Sequence, residues 1–227
     1  MSYIVNNNIF RFWAKLPHEK TDTKKFHPLI CHMLDVAAAT SEIWQQTLSA
    51  NARQSIAKAF GLNLDQAKTW IMFLAALHDL GKASPAFQLR PEAKHLVKML
   101  KMGEPPVGIK ASDIPHGRVT AKELPDILKQ ELNLNKKLAC QLSKIIGGHH
   151  GSFPTSYDLE AQYPTEGAGK TPWKKVRGEF VKSLIAFFKL NEITISDDIT
   201  KIDHSVSMVI AGLVSVADWV GSNSDFF

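Results

Sequence analysis

Two cysteines in 227 residues, Cys31 and Cys140, give no material for a disulfide framework or a thiolate metal cluster. Both fall in apolar helical patterns far apart in the chain, so a reducing compartment is expected. Long hydrophobic runs are also missing. The longest, 206–220, is short for a bilayer span and carries Asp218, and residues 1–15 have no apolar leader core. The expectation is a soluble, cytoplasmic protein with no membrane partner. There is no linker-like stretch, no internal repeat and no strand pair with hairpin turn chemistry, so one domain over 1–227 is expected.

What is present is apolar content, 44%, with a net charge of +5 and a pI near 9.1. That balance suits a polyanionic partner. The basic residues gather at Lys20/Lys24/Lys25, Lys94/Lys98/Lys101 and Lys174/Lys175/Arg177, although such runs are more often solvated helix faces than nucleic-acid contacts.

The apolar residues recur at helical spacing along most of the chain. Pro28 suits a helix start, with Leu29, Met33, Val36, Ala37 and Ile43 on one face together with His32. Asn63 and Gln66 form a capping pair that opens a helix running to His78. Ser84-Pro85 starts another. Leu138, Leu142, Ile145 and Ile146 mark a helix that Gly147-Gly148 ends, and Thr171-Pro172 opens one with a Val176, Phe180, Leu184, Phe187 stripe. The last helix, 205–221, is apolar on almost every side and should be central. Segments 102–114 and 152–171, rich in Pro, Gly and polar residues, read as loops. The pattern predicts an all-α fold, a single bundle of about seven to ten helices.

Gly167-Ala168-Gly169-Lys170-Thr171 looks like the end of a phosphate-cradling Walker loop, but that motif needs a glycine where Pro164 stands and a preceding strand that the sequence lacks. An ATP site is not expected.

The chemistry-bearing positions lie elsewhere. His78-Asp79-Leu80-Gly81-Lys82 closes an apolar segment and delivers an imidazole and a carboxylate side by side, although the dipeptide alone is weak evidence. His32, His116 before a glycine, the His149-His150 doublet between glycines, and Asp218 add to it, making five imidazoles and two carboxylates. A carboxylate in the Leu213–Val220 run costs desolvation unless a cation meets it, though a buried lysine or one polar stripe would also serve. His18, His27, His95 and His204 read as ordinary core or surface histidines, His27 least securely.

In this order, Trp13-Ala14-Lys15, His32 with Asp35-Val36-Ala37, His78-Asp79-Leu80-Gly81-Lys82 leading into Phe87-Gln88, His116-Gly117, His149-His150-Gly151 and Asp218-Trp219 with Ser222-Asn223 resemble the HD metal-dependent phosphohydrolase superfamily. The resemblance is strongest to its CRISPR-associated branch, the nuclease domain of the type I interference helicase-nuclease. That resemblance implies a helical HD domain acting as a metal-dependent DNA nuclease in antiviral interference, endo- and exonucleolytic, with single-stranded DNA preferred. It implies two metal ions, one held by His32, His78, Asp79 and Asp218, the other by Asp79, His116, His149 and His150, with Asp79 shared. Two divalent ions outweigh the two carboxylates and leave a cationic site suited to phosphodiester hydrolysis by an activated water. An imidazole-rich shell favours Mn, Fe, Co or Ni, with Mg possible. Asp79 and Lys82 are the expected catalytic residues, Lys82 reaching a phosphate oxygen one turn beyond Asp79. Ser222 and Asn223 either contact the DNA backbone or cap the last helix.

The implied partners are a superfamily 2 helicase, in cis or in trans, and a CRISPR RNA-guided surveillance complex. No helicase motifs occur here, and the Asp225-Phe226-Phe227 end suggests a domain excised from a longer chain. The alternatives are an HD phosphohydrolase acting on small nucleotides, which needs only the first-ion set, and a non-catalytic helical module.

Overall fold

A computed structural model describes residues 8–17, 26–102, 114–160 and 165–223. His18, Lys20, Lys24 and Lys25, residues 103–113 of the expected 102–114 loop, residues 161–164 and the terminal Asp225-Phe226-Phe227 lie outside the described residues. In chain order the elements are β1 (Trp13–Lys15), β2 (His27–Pro28), α1 (Leu29–Gln46), α2 (Ala50–Phe60), α3 (Leu64–Ala76), α4 (Pro85–Gln88) and α5 (Val97–Leu100). There follow α6 (His116–Leu132), α7 (Lys136–Gly147), α8 (Ser156–Glu160), α9 (Thr165–Ala168), α10 (Thr171–Phe187) and α11 (His204–Gly221).

Local chemistry sets these boundaries. Asn63 and Gln66 close the expected capping box, each side chain accepting the other's backbone N–H, and α3 starts there. Ser49 caps α2, which ends at Gly61 in the left-handed conformation. Asn135 caps α7 and Gly148 terminates it, so His149 and His150 fall just past its end. The core lies where α1, α3 and α11 pack together and α6 and α7 pack as a pair, with Met33, Val36, Ile71, Leu74, Leu138, Leu142, Phe180 and Val214 buried.

The all-α expectation holds, with additions the periodicity did not reveal. β1 and β2 form a two-stranded antiparallel ribbon of irregular register, pieces too short to show alternation. The helix expected to run to His78 ends at Ala76, and residues Leu77–Lys82 wind as a 3-10 turn. The 152–171 stretch holds two short helices, α8 and α9, rather than continuous loop. Helix α11 is long and apolar enough to cross a bilayer by length and composition, yet one side packs on α1, α2, α3 and α7. It is not buried all round, because Met208, Val209, Val216, Trp219 and Val220 are exposed. Phe187, expected on the α10 stripe, is 64% exposed.

The basic runs divide. Lys94, Lys98, Lys101, Lys174 and Lys175 are exposed, whereas Arg177 is fully buried on the Trp173, Phe180, Leu184 face of α10. The Walker-like run joins α9 to α10, and the described element that leads into it is a helix and not a strand. Gly169 there has φ +84, and a side chain on it would strike the Trp173 ring at 2.4 Å.

Two close backbone approaches bind the elements that carry the candidate residues. A Cβ on Gly81 would lie 1.9 Å from the His116 carbonyl oxygen, so the 3-10 turn sits directly on the start of α6. A Cβ on Gly117 would lie 2.2 Å from the Gly147 carbonyl oxygen, and one on Gly147 would lie 2.3 Å from that of Gly117, so α6 and α7 touch backbone to backbone. Relieving such contacts requires main-chain movement. We expect Gly117→Ala to cost about 2–3 kcal/mol of stability, a fall of about 4–12 °C in Tm for a chain of this size, measured by scanning calorimetry.

Candidate metal centre

Five separate segments deliver the seven predicted side chains to one place. His32 lies in the first turn of α1, His78 and Asp79 on the 3-10 turn, His116 at the start of α6, His149 and His150 just beyond α7, and Asp218 in the last turn of α11. His32, His78, Asp79 and His149 are almost wholly buried, and His150 is exposed at the edge.

The two oxygens of Asp79 face different groups. Oδ2 lies 3.1 Å from His32 Nε2 and 3.2 Å from His78 Nε2. Those two nitrogens lie 3.5 and 3.4 Å from Asp218 Oδ1, closing the first set. Oδ1 lies 3.0 Å from His116 Nε2 and 3.8 Å from His149 Nε2. His116 Nε2 is also 3.4 Å from His149 Nε2 and 3.1 Å from His150 Nε2, closing the second.

These spacings fit a divalent cation. Donors bound at ~2.1 Å stand about 3.0 Å apart around an octahedral ion and about 3.4 Å apart around a tetrahedral one. Despite their proximity to carboxylate oxygens, His32 Nε2 and His78 Nε2 are buried without a hydrogen bond of acceptable geometry. On the far side of two rings the main chain fixes the tautomer. His78 Nδ1 donates to the Ala75 carbonyl and His149 Nδ1 to the Ile146 carbonyl, both at 2.9 Å, which directs each Nε2 lone pair inward.

Burial would raise the pKa of Asp79, but the charges of His78, Lys82 and His116 hold it well below the usual carboxylate range. Burial acts on Asp218 in the same sense, and the edges of His32 and His78 win in the same way. For His78, burial would lower the pKa, yet the carboxylates of Asp79 and Asp218 outweigh it and raise it to about 9. His149 goes the other way: burial, reinforced by His78, His116 and His150 against Asp79, lowers it to about 3. Burial also lowers His116. His116 and His149 are therefore biased towards neutral imidazoles, the form that ligates metals.

The remaining predicted residues have more local engagements. Lys82 Nζ pairs with Asp79 Oδ2 at 2.6 Å and stands 5.2 Å from the centre of the Phe87 ring. Ser222 donates its hydroxyl to Asp218 Oδ1 at 2.9 Å, so it orients a carboxylate instead of standing free for substrate. Asn223 is exposed, and its backbone N–H closes the end of α11 on Val220. His27, set aside in the sequence, pairs with Asp35 at 2.6 Å beside His32. His95 and His204 are exposed and belong to none of the ligand clusters among the described residues.

Two supporting residues were missed. Thr120 on α6 is fully buried; its hydroxyl accepts from the Gly81 N–H at 2.9 Å and donates to the His78 carbonyl at 3.2 Å, which ties down the 3-10 turn. Arg177 Nη1 donates to the Ala83 and Ala168 carbonyls at 2.8 Å, and Nη2 reaches Glu123 Oε2 at 3.3 Å. The signal for Arg177 was its helical spacing from Trp173, Phe180 and Leu184. Thr120 left none.

The raised His78 pKa has a measurable consequence. Because the folded protein holds this proton more tightly than an unfolded chain, whose histidine titrates near ~6.5, its stabilisation is complete below about pH 6.5. It is lost as pH rises through 9. The difference is about 3 kcal/mol, so the Tm of metal-free protein should fall by about 6–12 °C across that window. Saturating Mn should abolish the dependence, because the ion replaces the proton; a flat metal-free profile would contradict the assignment.

Against known proteins, the family model described as Cas3, HD domain, matches residues 13–227. The CRISPR-associated endonuclease/helicase Cas3 of Thermus thermophilus is 31% identical over 218 residues, 95% of this chain and 22% of that protein. A chain in a CRISPR RNA-guided surveillance complex, pre-nicking, superposes with a TM-score of 0.71 at 28% identity, covering 96% of this chain and 25% of that one. The Thermus thermophilus Cas3 HD domain, crystallised in the presence of Ni2+, shares the fold with a TM-score of 0.67 at 24% identity over 96% of this chain and 78% of that one. The chain spans about a quarter of the length of the curated relatives it matches. With the match running from Trp13 onward, the chain belongs to the Cas3 HD-domain family.

Proposed function

We propose that this chain is a metal-dependent DNA nuclease that hydrolyses phosphodiesters, endo- and exonucleolytically and with single strands preferred, in CRISPR interference. The observation that carries the reading is Asp79, whose two oxygens face two different imidazole sets, the second built from His116, His149 and His150. An HD centre for small nucleotides needs only the first set. We further propose that the domain works beside a superfamily 2 helicase and an RNA-guided surveillance complex. That proposal is supported by the names and assemblies of its relatives.

His32, His78, Asp79 and Asp218 would hold one divalent ion and Asp79, His116, His149 and His150 the other, with Mn, Fe, Co or Ni suited to so many imidazoles. Bound there, two such ions supply positive charge and water activation near neutral pH. The protein's own groups do the rest. Buried Asp79 fixes the spacing of the two sets, and the carbonyls of Ala75 and Ile146 stop the His78 and His149 rings from rotating. Ser222 holds Asp218 in place. Lys82 carries a positive charge beside Asp79, with that pairing yielding to a phosphate oxygen.

The test is incubation of purified protein with circular single-stranded DNA and Mn or Ni. We expect degradation, which a closed circle permits only through internal cleavage, and its loss in Asp79→Ala. Lys82→Met should lower kcat by about 10²-fold. Intact DNA with phosphate released from nucleotides would overturn the reading in favour of a small-molecule phosphohydrolase.

A further inference from the structure

A second ammonium group stands beside the same centre. Lys15, half-buried at the end of β1, donates from Nζ to the Ser222 carbonyl at 2.8 Å across 207 residues of sequence. Ser222 in turn donates to Asp218, so Lys15 touches the residue that orients one of the two carboxylates. Gln88 fixes the strand that carries it. This fully buried amide accepts the Trp13 N–H at 3.2 Å and donates to the Trp13 carbonyl at 2.9 Å and the Lys82 carbonyl at 3.0 Å. One side chain thus ties the strand carrying Lys15 to the turn carrying Lys82. Trp13 packs against Phe87 with the rings tilted, centres 4.4 Å apart, and stiffens the same junction.

The electrostatics agree with that placement. Burial lowers the Lys15 pKa, and Lys82 is the charge that lowers it further, against the opposing pull of Asp218, Asp79 and Asp35. Two ammonium groups close enough for the charge of one to lower the pKa of the other are stabilised by an anion that meets both. Capping the end of α11 would explain one N–H of Lys15 and some of its charge. An ammonium has three N–H donors, and the Ser222 carbonyl takes one.

We propose that Lys15 is a phosphate-binding residue of the nuclease site, gripping a backbone phosphate of the strand next to the one that Lys82 meets. The proposal rests on the nuclease reading and adds to it a second, charge-based contact with the polynucleotide. It makes the Trp13–Lys15 strand part of the substrate surface as well as of the fold.

The test measures binding of a fluorescein-labelled phosphorothioate oligothymidylate to Mn-loaded protein over a range of KCl concentrations. The variants are Lys15→Gln, which can still donate to the Ser222 carbonyl but carries no charge, and Lys15→Arg. For single strands each lost phosphate contact reduces the slope of log affinity against log salt by about 0.7. Lys15→Gln should show that reduction and Lys15→Arg should not. Wild-type slope in Lys15→Gln, with or without a lowered Tm, overturns the proposal and leaves Lys15 a helix cap. Wild-type protein that fails to bind the oligonucleotide overturns the nuclease reading, and this inference with it.

Discussion

The centre depends on one buried carboxylate. Asp79 is 2% exposed, and an ionised group so far from water is tolerated only where positive charge or hydrogen-bond donors surround it. The protein surrounds it with four imidazole edges and one ammonium group, drawn from α1, the 3-10 turn, α6 and the segment after α7. Asp218 adds a second negative charge from α11 and shares two of those imidazoles. Positive charge is what this geometry calls for, because both carboxylates and the nitrogens of His32 and His78 face one another within 3.5 Å.

Convergence on that point is a matter of packing. Gly81 lets the turn rest on the start of α6, and Gly117 with Gly147 lets α6 rest on α7, so the three elements behind the second histidine set are in main-chain contact. Thr120 closes the turn onto α6, while Arg177 anchors its far end at Ala83. A permanently charged guanidinium in the core is stable because the carbonyls of Ala83 and Ala168 and the Glu123 carboxylate meet it.

The sequence was legible where chemistry is local. Caps at Asn63 and Gly148, the helical period of α1, α3, α7 and α10, and the imidazole and carboxylate positions can all be found without coordinates, because each is a short-range pattern. It was opaque where a residue's role is defined across the chain. Arg177 sits in a basic run and looks like a solvent-facing residue until the α10 face is placed against α6 and the turn. The β1–β2 ribbon is too short to carry a period, and the 3-10 winding at His78 depends on Thr120, about forty residues away.

The two best-fixed imidazoles, His78 and His149, take their orientation from carbonyl groups three residues back, at Ala75 and Ile146. Main-chain acceptors are the same whatever residue bears them. Side-chain replacement at those two positions leaves the restraint intact as long as the local winding persists, whereas a carboxylate or amide partner would be lost in a single exchange. The tautomers of the centre are therefore insulated from mutation in a way that Asp218, which relies on the Ser222 hydroxyl, is not.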